Sequence, residues 1–193
     1  IDCDEYATFV KSNLGLIEQY NKKYRSKETM FNCEMIPAEN IGVKNAKWDK
    51  EDGLKVPREC YNSYFYIVED ESINVIDKIR LHGKKYIEHL TGGSALHLNL
   101  MEHLTQKQYR LLLKVAAKEG CNYLTFNIPN TICNSCGNID KRYLKQCPKC
   151  GSNNLDYMTR IIGYMKRVSN FSAERKKEAA RRYYSYGDEI GNA

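Results

Sequence analysis

The chain has 193 residues, of which 42% are hydrophobic and 28% are charged, and its formal net charge is +6. This composition excludes a disordered chain, and no apolar run approaches the roughly 18–20 residues that cross a bilayer. The acidic start IDCDEYATF lacks the basic and apolar parts of a signal peptide, so we expect a cytoplasmic protein with no membrane partner. Because no Met begins the chain, we also expect it to be part of a longer protein.

The first part of the chain predicts helices with short strands between them. Residues 4–24 carry apolar side chains at helical spacing, which predicts an amphipathic helix. PAENIGV predicts the start of a helix or a tight loop, with Pro37 suited to a first turn and Glu39 and Asn40 able to bond free amides. Residues 41–63 are polar and predict irregular structure. SYFYIV then predicts a strand, and SINVIDKIRLHGKKYIEHL predicts one helix.

The next part alternates strands and helices. TGGSALHLNL predicts a glycine-rich turn and a strand with one leucine face, and CNYLTFNIP predicts another strand. Between them, Thr105 and Gln108 predict a capping box for a helix that ends at Gly120. This order predicts an α/β fold with part of a sheet or barrel. Further along, residues 156–171 predict a loop, and Ser172 caps a final basic helix.

Half of the eight cysteines have the spacing of a metal site. The pattern C-x2-C-x10-C-x2-C is formed by Cys133, Cys136, Cys147 and Cys150. Paired C-x2-C elements without a secretory signal predict a tetrahedral zinc site, which is structural because cysteine fills all four positions. A redox C-x2-C pair is the alternative, and the nearness of the second pair disfavours it. We expect the remaining cysteines to be small buried residues: Cys3, Cys33, Cys60 and Cys121.

Other polar residues have structural interpretations. The histidines are predicted to be hydrogen-bonded residues of the scaffold: His82, His89, His97 and His103. Gly92 and Gly93 allow a close backbone approach, with a simple turn as an equal alternative. The basic excess near the C-terminus is typical either of a solvated helix face or of a nucleic-acid contact.

Gly163 occupies an unexpected position in TRIIGYMKRVSNF. The flanking isoleucines and the Tyr-Met pair are typical of a buried strand, in which glycine costs roughly 0.5–1 kcal/mol relative to alanine. A turn glycine in a strand pair is the structural explanation. A function that requires an unsubstituted Cα is the other.

Six motifs follow one another along the chain: FNCEMIPAEN, CYNSYFYIVEDE, LTGGSALHLNL, FNIPNTICNSCG, CPKCG and TRIIGYMKRVSNF. Together they resemble the C-terminal portion of the anaerobic, glycyl-radical ribonucleoside-triphosphate reductases, and the last holds the R-x-x-G-Y signature of glycyl-radical enzymes. The resemblance implies the C-terminal part of an α/β barrel in residues 1–130 and a zinc module in residues 131–155. It implies a radical loop and a C-terminal helix in residues 156–193.

The resemblance implies that Gly163 is catalytic and stores an unpaired electron on its Cα. Such a radical is delocalised into the flanking peptide groups when its centre is planar, which a side chain would oppose. The residues that would shield it from water and oxygen are Ile161, Ile162, Tyr164 and Met165. An activating enzyme with an iron–sulfur cluster and S-adenosylmethionine would install the radical, which would pass to a cysteine and act on a ribonucleoside triphosphate. Formate or a dithiol protein would supply the electrons.

The resemblance also implies a substrate site and a missing portion. The family's P-A-E motif, where substrate phosphates bind, matches Pro37, Ala38, Glu39 and Asn40, and a helix N-terminus there would attract an anion. In the family, the cysteine that becomes the thiyl radical lies upstream of this motif. We therefore expect the chain to be inactive without an N-terminal reductase portion, and the full enzyme to be a homodimer.

A zinc-ribbon module that binds nucleic acid is the alternative from another class. Its basic C-terminal third would contact phosphates, and bases would stack on Tyr143, Tyr183, Tyr184 and Tyr186. This alternative leaves R-x-x-G-Y and the long α/β segment unexplained, so we expect no direct nucleic-acid partner. An inert structural fragment is the third interpretation.

Overall fold

Two sheets of opposite type organise the chain. The computed structural model describes residues 3–38, 40–161 and 163–191. The helices are α1 Asp4–Tyr24, α2 Ile41–Glu51, α3 Val75–Leu81, α4 Lys84–Ile87, α5 Gln106–Glu119, α6 Ala173–Arg181 and α7 Gly187–Gly191. The strands are β1 Glu34–Met35, β2 Gly93–Asn99, β3 Tyr123–Asn127, β4 Asn130–Cys133, β5 Ile139–Asp140, β6 Leu155–Arg160 and β7 Met165–Arg167. None of the described helices is long and apolar enough to cross a membrane.

The first sheet is parallel, in the order β1-β2-β3. Strand β2 is buried along all seven residues, because α3 packs against it and the aromatic rings of Tyr66 and Tyr86 belong to the same core. Leu96, Leu98 and Leu100 lie in this core. The predicted strand is confirmed, but both of its faces are buried rather than one, as is usual for parallel sheets.

Several predicted elements are present at the predicted places. The long first helix is α1, and its side chains Tyr6 and Val10 pack toward the core. Helix α5 has the predicted capping box between Thr105 and Gln108, and Gly120 follows it in the left-handed conformation with a φ of 77°. Ser172 accepts a hydrogen bond from the backbone amide of Arg175 and caps α6.

Two predictions in residues 41–68 are wrong. Residues 41–51 form helix α2, and Ala46 gives this polar helix one buried contact face. SYFYIV forms no strand, because the amide of Asn62 donates to the carbonyls of Tyr64 and Tyr66 and turns the backbone. The rings of these two tyrosines stack at 5.2 Å, which packs them inward instead of on alternate faces.

Two further segments differ from the prediction. The single helix expected from SINVIDKIRLHGKKYIEHL is divided into α3 and α4, because the chain turns at Gly83, which lies directly against the carbonyl of Glu119. Residues 156–171 are not mainly loop: β6 and β7 pair there as an antiparallel hairpin, with Arg160 opposite Met165. Gly163 lies between these two strands.

The second sheet is antiparallel, in the order β5-β4-β6-β7. Strand β4 follows β3 after two residues, so the two sheets are continuous along the chain. The buried side chain of Asn127 connects them, since its Nδ2 donates to Asn99 on β2 while its Oδ1 accepts from Thr159 and from the amide of Arg160 on β6. This junction positions the strand that leads to Gly163.

Candidate metal centre and glycine site

The four predicted metal ligands form one cluster. The sulfur atoms of Cys133, Cys136, Cys147 and Cys150 all lie within 4.8 Å of one another. The Sγ–Sγ distance is 3.6 Å between Cys133 and Cys150 and 3.7 Å between Cys136 and Cys147. A tetrahedron of sulfurs about 2.3 Å from a zinc ion has edges of about 3.8 Å, so the cluster could hold a metal ion and is consistent with zinc.

Backbone geometry prepares this cluster for a cation. Gly137 and Gly151 each follow a cysteine pair with a φ of 72°, and each amide donates to the carbonyl of the pair's first cysteine at 2.9 Å. Burial raises the pKa of the Cys133 thiol, but amides of Cys136 and Ser135 donate to its sulfur, and the net effect lowers that pKa to about 6. The thiolate form that a metal requires is therefore favoured at this cysteine.

Gly163 lies in the turn of the β6–β7 hairpin, and the local space does not require a glycine. An added Cβ would meet, among the described residues outside its immediate chain neighbours, only the hydroxyl of Tyr123, at 3.9 Å. The guanidinium of Arg160 donates to the Gly163 carbonyl and holds the turn. Neighbouring atoms thus give no reason for a glycine at position 163, whereas the positive φ of Gly137 and Gly151 favours glycine at those two positions.

The predicted shield around Gly163 is present in part. Ile161 is buried, and Met165 is half-buried on β7. Tyr164 is 50% exposed and Gly163 is itself exposed. Ile162 lies outside the described residues.

A cavity of about 240 Å³ adjoins Gly163. Its lining includes Glu34, Pro37, Ser94, His97, Tyr123 and Gly163. The structure therefore brings Gly163 and Pro37, residues 126 positions apart in the chain, to the same cavity. The β2 residues Ser94 and His97 line this wall, and the Oγ of Ser94 and the Nδ1 of His97 are buried without a hydrogen-bond partner among the described residues.

The P-A-E segment lies just before α2 rather than in its first turn. The helix begins at Ile41, so the expected place of Pro37 in the first turn is wrong. The side chain of Asn40 makes no capping bond, although its carbonyl accepts from the amides of Val43 and Lys44. Ala38 and the first turn of α2 border a second cavity of about 410 Å³. Glu39 lies outside the described residues.

His97 departs from the prediction that the histidines are hydrogen-bonded. Its Nδ1 is buried with no partner among the described residues, and burial lowers its pKa to about 4, with Arg160 and Arg182 adding to the effect. His82 agrees with the prediction, because its Nδ1 lies 3.0 Å from the carbonyl of Lys78. Burial lowers its pKa to about 3, and its Nε2 is buried with no partner among the described residues. Both rings are neutral at pH 7.

Residues of the other predictions are dispersed. Of the four cysteines outside the cluster, only Cys60 is buried, and Cys3 is exposed, so the expectation of uniform burial is wrong. The four tyrosines proposed as a stacking surface fall into two pairs. Tyr143, which stacks on Tyr157, lines one cavity together with Tyr184, whereas Tyr183 and the backbone amide of Tyr186 both bond Glu189.

Sequence reasoning missed the residues that hold the glycine hairpin. Arg160 is part of the R-x-x-G-Y signature, which could have suggested its role, whereas Asn127 has no local signal. Arg175 on α6 and Arg182, the residue directly after this helix, each reach a backbone carbonyl in another part of the chain. Their basic sequence context pointed to a solvated face, but both side chains are only 5% exposed.

Comparison with known proteins agrees with this geometry. An α/β protein with a four-cysteine group that could bind a metal ion is the class that the fold defines. The family model of the anaerobic ribonucleoside-triphosphate reductases matches residues 1–184. The chain therefore belongs to the anaerobic ribonucleoside-triphosphate reductase family. No curated protein sequence matches it.

Solved structures give the same result. An anaerobic ribonucleotide reductase is 32% identical, with a TM-score of 0.80 over 95% of this chain and 29% of its own. The Thermotoga maritima anaerobic ribonucleotide reductase in complex with dATP and CTP is also 32% identical, with a TM-score of 0.75 over 91% of this chain and 28% of that one. The same enzyme with glycerol in its active site gives a TM-score of 0.76 at 32% identity, over 91% and 29% of the two chains. The chain thus spans less than a third of the solved reductases that it matches.

Proposed function

We propose that this chain is the C-terminal, radical-bearing part of an anaerobic ribonucleotide reductase, which makes deoxyribonucleoside triphosphates for DNA synthesis. The observation that carries the proposal is the position of Gly163. It lies in a hairpin turn that has room for a side chain, beside a cavity that it shares with Pro37 of the P-A-E motif. Because neighbouring atoms do not require a glycine at position 163, we attribute the glycine to chemistry at its unsubstituted Cα.

Gly163 would store the radical on its Cα. A radical-SAM activating enzyme removes one hydrogen atom from that carbon, and the remaining electron is shared with the two adjoining peptide groups. Arg160 supports this role because its guanidinium bonds the Gly163 carbonyl and restrains the peptide group that shares the electron. Transfer to a thiol requires the cysteine of an N-terminal portion, without which we expect no turnover.

The four-cysteine group would hold zinc in a structural role. Cys133 ends β4, and β4 pairs along its length with β6, the strand that leads to Gly163. A metal ion that fixes the cysteine pairs therefore also fixes β6. We propose on this basis the division into a barrel segment of residues 1–130, a zinc module of residues 131–155 and a radical loop with its helix in residues 156–193.

Substrate phosphates would bind at Pro37, Ala38, Glu39 and Asn40. The cavity beside Ala38 opens onto the first turn of α2, whose free amides and positive dipole end favour an anion. The Thermotoga maritima relative was solved with dATP and CTP, which supports nucleotides as ligands. We further propose that the full enzyme is a cytoplasmic homodimer and that it has no direct nucleic-acid partner.

Electron paramagnetic resonance tests the proposal. The chain is co-expressed anaerobically with an activating enzyme of the family and an N-terminal reductase portion. We expect the doublet of a carbon radical coupled to one α-hydrogen, and its collapse when the glycine is labelled with deuterium at Cα. Gly163→Ala is the matched control, because its methyl group has room and the fold should persist. A doublet that survives in Gly163→Ala, or none under conditions that activate a full-length relative, would contradict the proposal.

A further inference from the structure

Helix α6 and the residue that directly follows it carry a buried group of charges that the proposed chemistry does not use. Arg175 is 4% exposed and Glu178 8%, and the side chain of Arg182 is only 5% exposed. Charges withdrawn from water to this extent persist only when they are paired and hydrogen-bonded. Their contacts therefore indicate what the group positions.

Glu178 bonds both arginines. Its Oε2 accepts from Arg175 at 3.1 Å, and its two oxygens accept from Arg182 at 2.7 and 2.9 Å in a bidentate pair. This pairing holds the pKa of Glu178 below its usual range although burial opposes the charge. Because a guanidinium has five N–H donors, each arginine keeps donors that do not bond Glu178.

Those remaining donors bond two backbone carbonyls from distant parts of the chain. Arg175 Nη2 donates to the carbonyl of Ala38 at 2.6 Å, and Arg182 Nη1 donates to the carbonyl of Arg160 at 2.8 Å. Ala38 belongs to the P-A-E segment, and Arg160 is the last residue of the strand before Gly163. A narrow gap lined by the charged group also contacts Pro37 and Ile161, so both segments meet at this point.

We propose that the Arg175–Glu178–Arg182 triad is a positioning clamp that holds the P-A-E segment in register with the hairpin that carries Gly163. Its arginines are positioning residues, since they bond backbone of the site. The inference rests on the proposed function for what is positioned, whereas the clamp itself is a property of these contacts. A guanidinium holds five donors in a rigid planar fork, and a lysine ammonium, whose three donors lie on one atom, does not reproduce the directions of these bonds to a carboxylate and a separate carbonyl.

Amide hydrogen exchange on the zinc-loaded chain tests the clamp without any radical. Arg175→Lys should speed exchange about tenfold at amides near residues 36–44, the loss expected for one charge-assisted bond. Arg182→Lys should have that effect near residues 158–165 instead. Glu178→Gln should loosen both segments. Arg181→Lys, an exposed neighbour on the same helix, is the control and should change neither.

Exchange that rises equally across the core, or at neither segment, would overturn the clamp. A second arm uses the chain assembled with its N-terminal portion and activating enzyme. Arg175→Lys should raise the KM for the ribonucleoside triphosphate about tenfold with an unchanged radical yield, and Arg182→Lys should lower the radical yield with an unchanged KM. Equal loss of kcat in both variants would overturn the division of roles. If the variants change exchange as predicted but the activated wild type forms no radical, the proposed function is refuted and the clamp still stands.

Discussion

In the parallel sheet, strand β2 is buried on both faces, whereas in the antiparallel sheet Ile139 of β5 stands 62% exposed. The first region is stabilised by apolar contacts among leucines and aromatic rings of one core. The turns of the second are organised around the four-cysteine group and short polar contacts. If that group holds the proposed metal ion, we expect the part of the chain that carries Gly163 to depend on the ion and the part that carries the P-A-E segment not to.

Loss of a metal ligand should separate the two regions most strongly. A structural zinc ion binds with about 10–16 kcal/mol in small zinc domains, so Cys133→Ser should unfold the antiparallel sheet. We expect hydrogen-exchange protection to disappear in β4 and β6 and to persist in β2 and β3. Cys121→Ser, outside the cluster, should change neither. Protection of β4 and β6 that survives metal removal would show that this sheet folds without the ion.

A substitution in the core should destabilise the parallel sheet and leave the four-cysteine group intact. Leu98→Ala removes a side chain that is 1% exposed and should lower the free energy of unfolding by about 2–5 kcal/mol, because a cavity remains. Denaturant titration measures this, with Leu113→Ala, which is 52% exposed, as the control. The chain should still bind one metal ion per molecule. A cost below about 1 kcal/mol would argue against a tightly packed parallel-sheet core.

The junction between the sheets should respond to Asn127→Ala. The change leaves the side chain of Asn99 and the amide of Arg160 without this partner, at a cost of roughly 1–3 kcal/mol. If Asn127 couples the regions, we expect the wild type to unfold in one transition and Asn127→Ala to broaden that transition or divide it in two. Asn153→Ala, an exposed position of the metal module, is the control. An unchanged transition in Asn127→Ala would mean that the sheets are coupled elsewhere.

Acid should weaken the parallel-sheet region through His97. Its pKa is lowered to about 4 by burial and by nearby arginines, against about 6.5 in an unfolded chain. Between these values the unfolded chain binds more protons, so stability falls as the pH falls, by at most about 1.4 kcal/mol per pH unit.

Denaturant titrations across this pH range measure the slope. His97→Gln should flatten it relative to the wild type, while His103→Gln, at an exposed position, should not. Metal release at low pH affects all three proteins alike, so the comparison isolates His97. Equal slopes in His97→Gln and the wild type would exclude the histidine as the cause.

Local signals predicted much of the structure, and long-range contacts determined the rest. The capping box of α5 and the spacing of the cysteines act over a few residues, and both were read correctly. SYFYIV has the composition of a strand, but hydrogen bonds from Asn62 and packing of two tyrosines overrode its propensity.

The surroundings of Gly163 could be predicted only in part. The R-x-x-G-Y signature marked the residue, while the bond from Arg175 to Ala38 joins positions 137 apart and has no local pattern. The basic composition of α6 suggested solvent exposure, and the burial of two of its arginines follows from the carbonyls that they meet across the fold.

Exposure of the activated protein to air, followed by mass spectrometry, tests the central claim most directly. The chain is first co-expressed without oxygen with an activating enzyme and an N-terminal reductase portion. Oxygen attacks a glycyl radical and cuts the chain there, so we predict a truncated species that ends at Gly163 and is absent from Gly163→Ala. An intact mass, under conditions that cleave a full-length relative, would contradict the assignment of the radical to Gly163.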